Sequence, residues 1–249
     1  MLAVDTGVAP VRVVFTTRRG GSSEGGYASL NLGATTGDAP EAVRANRAAL
    51  ADALGVDATR IASMSQVHGA QVVAVGPEGG DGRFVGSLHG VAECDGVLAR
   101  SPGVPVVAMG ADCPVIALWD DDGSVVAAVH AGWRGIVGGV IGEAVRATGI
   151  APERLGAAVG PHVGPCCYPV DAHLRDTLAA AHGADVVRGD AVDLGLACRR
   201  ALEAEGLSAG RISADGACTS CDAERFFSYR RDGAETGRQA VVAWIEERA

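Results

Sequence analysis

The chain has 249 residues, 48% of them hydrophobic, which is enough to bury a sizeable core and argues against a disordered tail or a coiled coil. Its 30 acidic residues outnumber 21 basic ones for a net charge of −9, and every basic residue is arginine, so a nucleic-acid binder working through a basic face is excluded. The 36 glycines form no repeat and point to tight turns and close backbone approaches.

Near the start, Asp5, Arg12, Arg18 and Arg19 interrupt the sequence, and no apolar stretch has the length of a signal segment or membrane span. A cytoplasmic location is expected, with no membrane partner. Seven cysteines, an odd number in a chain of this size, argue against a disulfide framework. Reduced thiols are then packing, metal ligands or nucleophiles.

Short apolar runs alternate with helical segments, predicting one α/β domain over 1–249, a three-layer α/β/α sandwich with a mixed sheet. Val11 to Phe15 is a β-branched strand, followed from Thr16 to Gly37 by a glycine-rich stretch long enough to suggest a functional loop. Asp38-Ala-Pro-Glu41 predicts a capped helix start, with Gly55 as its stop. Strands are predicted at Ile61 to Gln66, Gln71 to Val75, Asp95 to Leu98, Val104 to Met109, Pro114 to Trp119 and Ser124 to His130, the last two joined by an Asp121-Asp122-Gly123 hairpin. Near-continuous apolar strands imply a sheet covered on both faces. Ile136 to Thr148, Asp171 to Ala181 and Val192 to Glu205 read as helices and Leu155 to Val159 as a strand, while Gln239 to Ile245 fits either.

Polar residues gather where strands end, at Gln66-Val67-His68-Gly69, Ala111-Asp112-Cys113-Pro114 and His130-Ala131-Gly132-Trp133-Arg134-Gly135. His68, Cys113 and His130 would give Zn²⁺ two imidazoles and a thiolate, with one tetrahedral position open as in catalytic sites. The same atoms also suit a Cys113 nucleophile with His130 as its base, or simple core packing. Cys218-Thr-Ser-Cys221 lacks a second CxxC and reads as packing. Cys166 and Cys167 are adjacent, are expected to point apart, and at most line a pocket. Arg18, Arg134 and the arginines of Phe226-Phe-Ser-Tyr-Arg-Arg231 are forks suited to phosphate or carboxylate.

The ordered set Thr17-Arg-Arg-Gly-Gly21, Ser29-Leu-Asn-Leu32, QVHG, ADCP, HAGWRG, Gly160-Pro161 with Gly164 and Cys166-Cys-Tyr168, and Phe226 to Gly233 before Thr236-Gly-Arg238 resembles the laccase-domain family. That family is known variously as polyphenol oxidase, purine nucleoside phosphorylase and peptidoglycan editing factor. The resemblance implies zinc on His68, Cys113 and His130, with copper the less favoured metal. It also implies phosphorolysis of adenosine, inosine or methylthioadenosine and deamination of adenosine. Cys113, His130 and Asp112, the last as proton shuttle, are the catalytic candidates, and Arg18, Asn31, Arg134 and Tyr168 the substrate-binding ones. The partners expected are a purine nucleoside and phosphate, acting on a monomer. Competing readings are an amidase removing serine from a muramyl nucleotide, a Cys-His hydrolase and a non-catalytic binding module. Multicopper laccase chemistry is discounted, because six histidines without a His-x-His pair are too few. Pro169 stands where the family usually has glutamate and Cys198 where it tends to have asparagine.

Overall fold

Alternation with a period of two decides where each strand's side chains go, and here both faces of the central strands are apolar. The computed structural model describes residues 1–247. In chain order it has β1 (Leu2–Val4), β2 (Val11–Phe15), α1 (Pro40–Leu54), β3 (Ala62–Ser63), β4 (Val72–Val75), β5 (Gly96–Ala99), β6 (Val106–Gly110), β7 (Val115–Asp120) and β8 (Val126–His130). Then come α2 (Trp133–Val137), α3 (Val140–Thr148), β9 (Leu155–Val159), α4 (Ala172–His182), β10 (Val187–Arg188), β11 (Ala191–Val192), α5 (Leu194–Ala204), β12 (Ile212–Ala214), α6 (Tyr229–Asp232) and β13 (Gln239–Ile245).

The expected mixed α/β sandwich forms, and its β layer is two sheets thick. One sheet runs β1-β2-β13-β6-β3 and the other β12-β9-β7-β8-β5-β4, each combining parallel and antiparallel pairs, beside the small β10-β11 ribbon. On β7, Val115, Ala117 and Trp119 meet Val13, Phe15, Val241 and Ala243 of the five-stranded sheet. The alternate residues Ile116 and Leu118 meet Ile136, Ile141 and Val145 of α2 and α3, with α4 and α5 beside them. Helix α1 covers the opposite outer face through Leu50 and Ala51 against Val107, Val242 and Trp244. A strand buried against a sheet on one side and helices on the other looks the same in sequence as one between two helical layers, so periodicity does not count the sheets.

Several boundaries differ from expectation for local reasons. The predicted helix over Ile136 to Thr148 starts at Trp133 and breaks at Gly138-Gly139, where Gly139 has φ 86°. Ala39, not Asp38, is the residue ahead of α1, because the Asp38 carboxylate is taken by Ser23, Asn31 and the Ala39 N–H. Of Ile61 to Gln66 only Ala62–Ser63 pairs as strand. The Gln239 stretch is a strand, lying between β2 and β6.

Leu118 is 1% exposed between β7 and the α2–α3 layer. Leu118→Ala should therefore lower the unfolding free energy by about 2–5 kcal/mol, seen as a lower denaturant midpoint at unchanged slope.

Candidate metal centre

Strand direction brings the three candidate ligands together. Strand β8 runs antiparallel to both β7 and β5, with Val115 opposite His130 and Gly96 opposite Val129. The end of β8 therefore lies beside the starts of β7 and β5, which puts His130, Cys113 and Asp95 at one edge. Residues 111–114 carry the chain from β6 in one sheet to β7 in the other, so Cys113 sits in the seam between the sheets. His68 comes from the loop before β4, with its backbone in the left-handed region at φ 59°.

One ligand atom from each of His68, Cys113 and His130 lies within 4.8 Å of the others. The imidazole rings of His68 and His130 meet edge to face, with centroids 4.8 Å apart. His130 Nδ1 bonds to Asp95 Oδ1 at 2.8 Å, which leaves Nε2 as the metal-facing donor. The fully buried Asp95 carboxylate also accepts the N–H groups of Val67, His68 and Gly69 at 3.2, 3.0 and 2.6 Å. Burial disfavours the Asp95 anion, but the bonds from His130 and Gly69 outweigh it and hold its pKa below the ordinary value.

Burial likewise opposes ionisation of Cys113, but hydrogen bonds from His130 and His68 bring the thiol down to about 6. Against the same penalty, Asp95 and Cys113 lift His130 to about 9. Before any metal binds, the pair is thus thiolate and imidazolium at neutral pH. Gly132 keeps one side clear, since a Cβ there would stand 3.1 Å from His68 Cδ2, 3.2 Å from Cys113 Sγ and 3.4 Å from His130 Cε1. Two imidazoles and an easily ionised thiol fit a borderline-soft ion such as zinc, and a trigonal copper would take the same donors.

The triad opens into a cavity of about 510 Å³. Met109, Val163, Leu194, Tyr168 and Tyr229 are its apolar and aromatic lining, while Gln66, Asp112, Arg230 and Arg238 supply polar groups. Asp112 Oδ1 accepts the Thr219 hydroxyl at 2.5 Å and Oδ2 the Arg230 N–H at 2.7 Å. Arg230 lies over the Tyr168 ring, 5.3 Å from its centroid, and donates to the carbonyls of Cys167 and Pro169. Arg238 donates to the carbonyls of Thr236 and Gly237. Among the described residues neither guanidinium forms an ion pair with a carboxylate, both donating to backbone carbonyls instead.

Of the further candidates, Asp112 and Tyr168 line this cavity. Arg18, Asn31 and Arg134 are not among the residues lining the cavity. Arg18 donates to the carbonyls of Ala28 and Ala223 and packs on Phe227, 4.7 Å from the ring centroid. Arg134 lies over Trp133. Asn31 is buried, and its Oδ1 accepts the backbone N–H groups of Gly33 and Arg238, so it braces the arginine that does reach the site. Arg230 is one of the two arginines that the Phe226–Arg231 segment offered as anion-binding forks, whereas Asp95 and Arg238 carry no such signal in the sequence. Arginines of the right chemistry were visible in the segment from Phe226 to Arg231, but not the direction they face. Cys166, Cys167, Cys218 and Cys221 do not line this cavity, and their sulfurs converge on one another.

Residues 12–246 match the family described as multi-copper polyphenol oxidoreductase laccase, and the chain belongs to it. It is 37% identical to a Corynebacterium glutamicum protein named purine nucleoside phosphorylase, covering 100% of both chains. It is 36% identical to a Pseudomonas aeruginosa protein of the same name, over 96% of this chain and 95% of that one. Its fold is similar to the crystal structure of YlmD from Geobacillus stearothermophilus, with TM-score 0.89 and 34% identity over 96% of this chain and 93% of that one.

Asp95→Asn should weaken metal binding by about 10–100-fold in a chelator competition, because one His130-orienting acceptor and the negative charge behind it are altered. In metal-stripped protein, alkylation of Cys113 followed by peptide mass mapping should rise as pH passes about 6, where the thiolate forms, well below the range of an ordinary thiol. His130→Asn should move that midpoint upward.

Proposed function

We propose that this laccase-family chain is a zinc-dependent purine nucleoside phosphorylase acting on adenosine, inosine or methylthioadenosine, and that the same site deaminates adenosine. The observation that carries this reading is the pairing, in one cavity, of a three-donor metal set and two arginines without carboxylate partners among the described residues with an aromatic and apolar lining. The names of the relatives support the nucleoside and phosphate as substrates.

Zinc held by His68, Cys113 and His130 would supply positive charge for an anionic oxygen and acidify water. In phosphorolysis a phosphate oxygen forms the bond to the ribose C1′ as the bond from C1′ to the purine nitrogen breaks. The purine departs with the electron pair and takes up a proton, leaving ribose 1-phosphate. Arg238 anchors the phosphate so that its negative charge faces the oxocarbenium-like sugar of the transition state. Tyr168, stiffened by Arg230 across its ring, offers a stacking face to the purine. In deamination, Asp112 is the group at the cavity able to carry the proton between water and the leaving amine.

The family's descriptive name invokes several coppers, which need many imidazoles. Only His68 and His130 meet at the cavity, while His162 Nδ1 is turned to the Gly160 carbonyl and His173 and His182 lie on α4. One ion suits this donor set better than a multicopper cluster.

Cys113→Ala should cut ribose 1-phosphate formation from inosine by about 100-fold or more, and retained turnover would overturn the zinc reading. A purified chain that carries copper, with a strong thiolate-to-copper absorption, would overturn it equally. Arg238→Met should raise the phosphate KM by about tenfold, whereas Arg18→Ala should leave it unchanged. Asp112→Asn should reduce ammonia release from adenosine more than phosphorolysis. Serine release from a muramyl-serine nucleotide, assayed alongside and found without phosphorolysis, would favour the amidase instead.

A further inference from the structure

Two loops distant in sequence meet beside the cavity, and each carries two cysteines. Cys166 and Cys167 sit in the turn between β9 and α4, and Cys218 and Cys221 in the turn region after β12. The four sulfurs all lie within 4.8 Å of one another. Cys221 Sγ is 3.6 Å from Cys166 Sγ and 3.4 Å from Cys167 Sγ. Adjacent residues diverge in an extended strand, but Cys166 and Cys167 lie in a turn and bend, where successive side chains can converge. That removes the sequence objection to their sharing a partner.

We propose that Cys166, Cys167, Cys218 and Cys221 form a second metal site, a closed four-thiolate site for one zinc ion that clips these loops together. Four sulfurs about 2.3 Å from a tetrahedral zinc stand about 3.8 Å apart, which matches this spacing. A disulfide needs two sulfurs within about 2.05 Å, and a four-iron cluster would spread its thiolates around a larger inorganic body. The backbone beside the cluster supports one of its sulfurs directly. Gly164 donates its N–H to Cys218 Sγ at 3.2 Å, as outer-shell backbone groups do for metal-bound thiolates. A Cβ at Gly164 would stand 3.3 Å from Cys166 Sγ and 3.6 Å from Cys218 Sγ, so a larger residue would crowd both. Binding exchanges four thiol protons for one Zn²⁺, leaving a net charge of about −2 on the site, with no change of oxidation state.

The clip has a position that matters. Tyr168 of the cavity wall directly follows Cys167, whose carbonyl accepts Arg230 Nε at 3.1 Å. Thr219, the residue after Cys218, holds Asp112 through its hydroxyl and binds the His162 carbonyl through its N–H at 2.9 Å. The four-thiolate zinc is therefore a structural staple for one wall of the cavity, separate from the His68–Cys113–His130 centre.

Elemental analysis of the purified chain settles the assignment without substrate. Wild type should hold two zinc ions per chain. Cys113→Ala should hold one, and Cys113→Ala combined with Cys166→Ser and Cys221→Ser should hold none. Exchange of Cys113→Ala protein with Co²⁺ should give the intense tetrahedral and thiolate charge-transfer absorptions of a four-sulfur site. In the wild-type protein, where no variant can misfold, titration with an organomercurial in the presence of a zinc indicator should release two zinc ions, one as these four thiols react and one as Cys113 reacts. A Cys113→Ala chain holding no metal, a thiol count of five in the unreduced denatured protein, or iron in place of zinc would each overturn the proposal. Absence of phosphorolysis would leave it standing, because the metal counts are read independently of turnover.

Discussion

The centre depends on one buried charge. Asp95 has no contact with solvent, and an uncompensated carboxylate there would be severely destabilising. It is tolerated because both oxygens are fully used, Oδ1 by the His68 N–H and His130 Nδ1, Oδ2 by the Val67 and Gly69 N–H groups. Those four donors come from two separate parts of the chain, the loop before β4 and the end of β8. The carboxylate therefore fixes a left-handed backbone at His68 and a ring orientation at His130 in the same act. Backbone pairing reinforces it, since the His130 N–H reaches the Asp95 carbonyl at 2.7 Å. The desolvation that threatens the anion is also what strengthens its hold on both ligands.

The third ligand is placed by topology instead. Chain crossing from the five-stranded to the six-stranded sheet must pass through 111–114, and the close approach there has little room. A Cβ at Gly110 would stand 2.4 Å from the Cys113 carbonyl oxygen. Cys113 is thereby held at the mouth of the seam, with its sulfur toward the imidazoles and the cavity.

How much of this was legible depended on the range of the interaction. Strands such as Val11–Phe15 and Leu155–Val159 emerge intact from their apolar runs, because local β-branched composition and burial agree. The triad was legible too, since ligand chemistry clusters at strand ends. Asp95 was not, because an acid preceding a strand looks like any turn residue until the donors of residues 67–69 close around it. The number of sheets and the helix break at Gly138-Gly139 were hidden for a related reason: both are decided by what packs on the far side of an element. The four cysteines show the same limit, as a rule about extended chain does not apply in a turn.

The arginines carry that limit into the chemistry. A lysine-free chain with a net charge of −9 has no long-range field with which to gather phosphate. An anion bound at the cavity would have to rely on charge left locally unpaired. Arg12, Arg60, Arg146, Arg154 and Arg200 spend theirs on Glu246, Glu247, Glu143 with Glu205, Asp122 and Asp185, in exposed pairs of small individual worth. Among the described residues the guanidinium groups of Arg230 and Arg238 bond only to backbone carbonyl oxygens. A carbonyl orients a guanidinium without neutralising it, and the planar fork has five N–H donors, so some remain after two carbonyl bonds. An ammonium on a flexible stem could not be held in place so well by the same two contacts. Backbone oxygens thus orient these cations and leave their charge for an anion at the cavity.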